Sequence, residues 1–231
     1  MIADVKAKVD QVSPDVLTEG SMEYPRLSNI GQLFTADWKM RLILAGRVYR
    51  MSMGTITGSA AHALIGVGTT TDLDMPMGLI AVDSGFLIPM SLNYSGISDT
   101  DAENDYVDIL MTADRATAVS GAEIAAATGT VETPDNLLDG GEAFSGRAVC
   151  DTTVEISDPV HSDLLYFATY ECLGTDPLVV NHFHVDHEFA FPTFLAGPCS
   201  LLFYAGGTEA VTGMGSIVFA HIPSSWVPIP D

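Results

Sequence analysis

The sequence predicts an all-β protein: an antiparallel β-sandwich of about eight strands, with an N-terminal arm and at most short helices. Three observations lead there. Apolar segments of strand length recur between clusters of Gly, Pro, Asp and Ser. Several of these segments alternate apolar and polar residues with a period of two. No strand–helix–strand rhythm interrupts the series, and the 231 residues, 47% hydrophobic and 17% charged, suffice for one sizeable core.

In order along the chain, residues 1–40 read as an arm. They are polar, broken by Pro14 and Pro25, with a turn of helix expected near Phe34–Trp38. Residues 41–231 are the sandwich domain. MRLILAGRVYRMSMGTI (40–56) is rich in β-formers and alternates through Arg47-Val48-Tyr49-Arg50-Met51. LIAVDSGFLIPMSLNYSG (79–96) follows, where Pro89 marks an edge position or a bulge because proline donates no ladder hydrogen bond. YVDILMTADRA (106–116) alternates from Tyr106 to Met111. Ala116–Thr128 is the one convincing helical composition, rich in alanine although Gly121 sits in its middle. Strands are then expected in AVCDTTVEIS, DLLYFATYECL, HFHVDHEFAF, SLLFYAGG and GSIVFAHIPSSW, the last two joined through Gly206, Gly207 and Gly213 as a long hairpin. Eight strands in some 190 residues behind an arm suit a jelly roll with long loops.

Charge excludes several partners. Thirty acids against nine bases give −21, and the imbalance is concentrated: residues 1–98 hold seven bases and nine acids, residues 99–231 two bases and twenty-one acids. A nucleic-acid footprint needs clustered Lys and Arg, so no strong direct contact with nucleic acid is expected. Anionic membrane surfaces are disfavoured for the same reason. Such a chain repels itself at low salt and needs counter-ions or a basic partner. Cys150, Cys172 and Cys199 form neither a CxxC pair nor an even set, which indicates free buried thiols. The opening MIADVKAKVD carries charges where a signal peptide has an apolar segment, and MGLIAV and GFLIPM stop well short of a membrane span, so a soluble product is expected.

Chemistry is sparse. No GxSxG elbow occurs, GVGTTT (66–71) lacks the lysine of a P-loop, and no catalytic residue or cofactor is assigned. The run Asp99-Thr100-Asp101-Ala102-Glu103-Asn104-Asp105 has oxygen ligands at alternate positions but not the EF-hand glycine or terminal Glu; an exposed acidic loop is the simpler reading. His62 and His161 are isolated and read as structural. The densest polar cluster is Asn181-His182-Phe183-His184-Val185-Asp186-His187-Glu188. Read as a strand, it turns His182, His184, Asp186 and Glu188 to one face and Phe183, Val185, His187 and Phe189 to the other. Two imidazoles side by side with a carboxylate suit a transition metal, and equally a solvated or interfacial polar face or a pH-dependent contact.

Two resemblances add to this reading. His182, His184 and Glu188 resemble part of the first cupin motif, which implies a metal held by those three residues, although the flanking glycines are displaced (Gly174, Gly197) and no second motif is recognisable around His221. GFLIPMSLNYSG and GPCSLLFYAGGTEAVTGMGSIVFAHIPSSW (197–226) resemble strand segments of viral and phage single jelly-roll capsid proteins. That resemblance implies a self-assembling coat protein found in the virion. Its partners would be copies of itself in a symmetric, icosahedral shell, with a second coat protein, an inner membrane or another virion protein possible beside them, and it would not be an enzyme. The arm lacks the strong basic charge that neutralises a genome, so contact with the genome would be indirect. Two alternatives stand beside it: a cupin-like metal protein or enzyme, and a surface adhesion or carbohydrate-binding sandwich using Tyr94, Tyr106 or Trp226.

Overall fold

The computed structural model describes residues 8–9, 26–27, 38–57, 61–63, 65–67, 76–99, 105–115, 130–150, 161–172, 180–207 and 211–226. In chain order the strands are β1 (Lys8–Val9), β2 (Arg26–Leu27), β3 (Val48–Met53), β4 (Thr55–Thr57), β5 (Ala61–Ala63), β6 (Ile65–Val67), β7 (Gly78–Val82), β8 (Phe86–Asp99), β9 (Asp105–Asp114), β10 (Thr130–Glu132), β11 (Asp135–Asn136), β12 (Arg147–Cys150), β13 (Asp163–Cys172), β14 (Val180–Glu188), β15 (Leu195–Ala196), β16 (Cys199–Gly207) and β17 (Val211–Ile222). A single α-helix, α1 (Trp38–Leu44), is present among the described residues. The helix expected over Ala116–Thr128, most of the arm, and positions 100–104 of the acidic run lie outside them.

Two antiparallel sheets make the sandwich. One runs β10-β12-β7-β16-β9-β13; the other runs β11-β3-β17-β8-β14, with β15 added to β8 and β6 to β17. Eight principal strands carry the topology: β3, β7, β8, β9, β13, β14, β16 and β17. The first of these pairs with the eighth (β3 with β17), the second with the seventh (β7 with β16), the third with the sixth (β8 with β14) and the fourth with the fifth (β9 with β13), all antiparallel. A chain folded back on itself in four nested pairs and rolled into two sheets is a jelly roll, as the sequence predicts.

The core lies between the sheets and is built by alternation. Val107, Ile109 and Met111 of β9 face inward, as do Tyr94 and Leu92 of β8, Phe203 and Leu201 of β16, and Ile217 and Phe219 of β17. Tyr94 in one sheet meets Phe203 in the other with ring centroids 5.3 Å apart. Aromatic contacts of this kind add to the burial of their area.

A bulge in β8 and the helix α1 shape the outward face of the seven-stranded sheet. In β8 the register with β17 shifts between Val218 and Phe219, where Pro89 and Met90 together oppose a single step of the partner strand. Pro89 thus sits at the bulge the sequence indicates, inside a central strand. The inserted residue switches the strand's faces. Leu92 and Tyr94 point into the sandwich, whereas Phe86, Ile88 and Met90 point out and join Val48, Ala220 and Ile222 in a separate apolar cluster. Trp38, Leu42 and Ile43 of α1 pack over that cluster.

This corrects the expectation for the start of the domain. The sequence predicts a turn of helix at Phe34–Trp38 and a strand from residue 40, but Met40–Leu44 is helical and the strand begins at Val48. The apolar spacing Trp38-Leu42 and Leu42-Ile43 satisfies a helix face as well as a strand, and the apolar cluster beneath decides between them. Gly46 then ends the helix with φ of 65°; its N–H bonds the Ile43 carbonyl (2.8 Å) and the Arg47 N–H bonds that of Leu42 (3.0 Å), the paired closure of a left-handed glycine cap.

The hairpin expected from β16 into β17 is also corrected. The two strands are consecutive but lie in opposite sheets. Both edges of β16 are taken by β7 and β9, and both edges of β17 by β3 and β8, so no edge remains for them to share.

Candidate functional site

The outward face of the seven-stranded sheet divides in two. Its lower part is apolar and roofed by α1; its upper part is polar and open. Cross-strand register builds the open part in rows: His182 beside Ile97 and Thr212, His184 beside Ser95 and Met214, Asp186 beside Asn93 and Ser216, and Glu188 beside Ser91 and Val218. On β14 the alternation is as the sequence predicts. His182, His184, Asp186 and Glu188 are exposed, and Phe183, Val185 and Phe189 are buried. His187 faces the core side at the rim, against Tyr166 (4.8 Å between centroids) and Phe189 (4.7 Å).

Gly96 makes this arrangement possible. It lies opposite Phe183, and a Cβ there would collide with the Phe183 ring. Glycine therefore lets Phe183 turn inward to Tyr94 and Tyr170, which holds β14 in register. Above that contact lies a depression of about 360 Å³ lined by Ser95, Ile97, His182, His184 and Thr212 with the backbone of Gly96 and Gly213. His184 Nδ1 and Ser95 Oγ share a hydrogen bond of 2.7 Å, and Tyr170 Oη donates to the His184 carbonyl at 3.2 Å.

The three residues of the cupin resemblance are placed apart. His182 and His184 are neighbours on one face, but Glu188 is four residues further along an extended strand, about 14 Å from His184 at ~3.4 Å per residue. Its carboxylate is 3.0 Å from Lys39 Nζ of α1. No group of three His, Cys, Asp or Glu side chains that could hold a metal occurs among the described residues. Protein purified without a chelator or His-tag is expected to carry well under one metal ion per chain by elemental analysis. A stoichiometric metal lost in His182→Ala/His184→Ala would reverse that expectation.

A second polar group escaped the sequence reading. Thr112, Asp114 and Ser200 are buried on the outward face of the six-stranded sheet, with Ser200 directly opposite Asp114. His161 caps them: its Nδ1 is 2.9 Å from Thr112 Oγ1 and its ring rests on Tyr204. Among the described residues His161 Nε2 and Ser200 Oγ have no hydrogen-bond partner. Alternate polar residues near the end of β9 are the signal for it, but the strand's apolar half dominates the pattern. His161, expected to be structural, packs here against Thr112 and Tyr204.

Of the aromatics considered for carbohydrate contact, Tyr94 is corrected: it is fully buried between the sheets, and its hydroxyl has no partner among the described residues. Tyr106 is exposed, and Trp226 is half-buried under the Arg47 guanidinium, 5.3 Å from the ring centroid. The aromatic sequence around Tyr94 looks identical whether the strand's faces are switched by a bulge or not.

No protein family and no curated protein matches the chain. Among solved structures the chain is similar to a picornavirus capsid, that of a massively expanded equine rhinitis A virus particle. Identity is 13%, the match covers 100% of this chain and 93% of that one, and the TM-score is 0.24. With a score so low, the assignment of the fold rests on the strand pairing described above.

Proposed function

We propose that this protein is structural: a self-assembling coat protein of a virus, phage-like, whose copies build an icosahedral shell. The observation that carries the reading is apolar surface left open on one flank and end of the jelly roll. Leu164 and Phe167 on the edge strand β13 are 66% and 55% exposed, and Phe191 and Phe194 in the loop after β14 are 86% and 45% exposed. Large apolar side chains grouped on a strand edge mark a contact surface. Phe194 is tethered there, edge-on to Phe86 and with its carbonyl 3.5 Å from Arg115, which also pairs with Asp163 beside Leu164. Nine bases against thirty acids support a shell whose contact with a genome is indirect, through another coat component. No described helix is long and apolar enough to cross a membrane.

Assembly is expected to strengthen with salt or divalent cations, because −21 per chain must be screened before apolar surfaces meet. Leu164→Ser/Phe167→Ser is expected to abolish assemblies seen by sedimentation and electron microscopy while shifting the melting midpoint little, since both side chains are exposed already. A monodisperse monomer at every salt and protein concentration would overturn the reading.

A further inference from the structure

Strand β14 ends its sheet among the described residues. Among the described residues it pairs with β8 alone, in unbroken register over nine residues from Val180 to Glu188. Exposed edges are ordinarily blunted by lysine, proline or a bulge. β14 has no lysine, proline or bulge, and its charged residues, Asp186 and Glu188, share one face with His182 and His184. Strand β13, the edge of the other sheet, is different: its register breaks between Leu164 and Tyr166, and it carries Asp163 and Glu171 near its two ends. Pairing two β13 strands about Phe167 would set Asp163 against Glu171, carboxylate on carboxylate, which is repulsive.

The exposed side chains of β14 have the opposite symmetry. Reading outward from Val185, His184 and His182 lie on one side and Asp186 and Glu188 on the other. In an antiparallel pair of two such strands the centre decides everything. Centred on His184, two imidazoles meet; centred on Asp186, two carboxylates meet. Centred on Val185, His184 faces Asp186, His182 faces Glu188, and each couple occurs twice. On the buried face the same register sets Val185 against Val185 and Phe183 against His187, apolar or aromatic throughout.

From this we infer that β14 binds the β14 of a second copy, antiparallel about a two-fold axis at Val185, with every exposed imidazole facing a carboxylate. The inference rests on the assembly reading above and names one of its contacts. The two seven-stranded sheets become continuous across the axis, an isologous contact of the kind two-fold dimers use. Imidazole N–H groups can donate to the facing carboxylates, and the attraction is local to the axis in a chain that otherwise repels its copies. The groups already engaged keep hydrogen-bonding capacity for it. Glu188 has a second oxygen beside its Lys39 contact, and the His184 carbonyl keeps a lone pair beside its bond from Tyr170 Oη.

The test is a charge exchange on the full chain. His184→Asp sets carboxylate against carboxylate twice across the axis, the new one facing Asp186 of the other copy each time. Dimerisation by sedimentation velocity is then expected to weaken about tenfold, from the loss of two attractive couples and the gain of two repulsive ones. His184→Asp/Asp186→His restores opposite partners and is expected to recover the native affinity to within about threefold. Both variants lose the Ser95 bond equally, so a merely structural role for His184 would leave the double variant as weak as the single. That result in a folded double variant overturns the contact. Assembly unaffected by His184→Asp overturns it as well while leaving the assembly reading intact, whereas a native chain that never associates overturns both.

Discussion

Phe203→Ala is expected to cost about 3–5 kcal/mol of folding stability, the range for removing a large aromatic from a rigid core. Phe203 is fully buried in β16, flanked in register by Gly78 of β7 and Met111 of β9, and it spans the gap between the sheets to Tyr94. Its neighbours are held by strand ladders on either side and across the core, so they collapse poorly into the space left behind. For a domain of this size that loss corresponds to a fall of about 6–20 °C in the melting midpoint. Phe167→Ala, with the same atoms removed from an exposed position, is expected to change stability by only about 0.5 kcal/mol. The comparison is made by urea titration at low ionic strength, where the chains repel. A loss below about 1 kcal/mol at Phe203 would mean that the inter-sheet contact is looser than the 5.3 Å ring separation implies.

The second large effect is alkaline. Burial pushes the Cys199 thiol from its ordinary 9.0 up to about 12, against smaller opposing effects from a backbone hydrogen bond at Leu87 and from Arg115. Burial likewise pushes the Tyr94 phenol well above its ordinary 10.0, with Cys150 adding to the shift. Both groups are neutral when protonated, so the folded protein holds their protons after the unfolded chain has released them. Stability is therefore complete below pH 9 and falls as pH rises: first from Cys199 between 9 and about 12, then also from Tyr94 above 10. Each group steepens the fall by up to about 1.4 kcal/mol per pH unit. Between about pH 9 and about pH 11 the thiol alone is expected to remove about 2–3 kcal/mol. Tyr94→Phe keeps the ring, discards a hydroxyl without a partner among the described residues, and is expected both to raise stability near neutral pH by about 1 kcal/mol and to flatten the slope above the ordinary phenol range. Cys199→Ala is expected to flatten the slope from the ordinary thiol range upward. Unfolding curves with the same pH slope in all three proteins would show that these groups are not buried in the native state.

Much of β14 is legible in its own residues. A period of two over His182 to Phe189 fixes which side chains share a face, because a strand's pleat admits no other arrangement. Legible too are the antiparallel sandwich and the burial of the thiols of Cys150 and Cys199, while Pro89 indicates an edge position or a bulge and only the pairing with β17 selects the bulge. What β14 faces is not legible. Ser95, Ile97 and Thr212 reach His182 and His184 only through pairings across β8 and β17, and Lys39 reaches Glu188 only because α1 roofs the same sheet. The separation of His184 from Glu188 follows from the strand rise only once the segment is known to be extended throughout, which the pairing with β8 supplies.

By itself, then, the sequence determined the fold class, the two faces of β14 and the acidic charge balance, because these depend on periodicity, turn residues and composition, each of which acts within a few residues or over the whole chain at once. Tertiary structure decided the rest. It made residues 40–44 a helix because an apolar cluster on the outer sheet face needed a cover, buried Tyr94 because the bulge at Met90 switched the strand's faces, and sent β16 and β17 to opposite sheets because their edges were already taken. Each of those outcomes is a competition among segments distant in sequence for the same edge or the same apolar surface. The winner is set by packing, which no local pattern records.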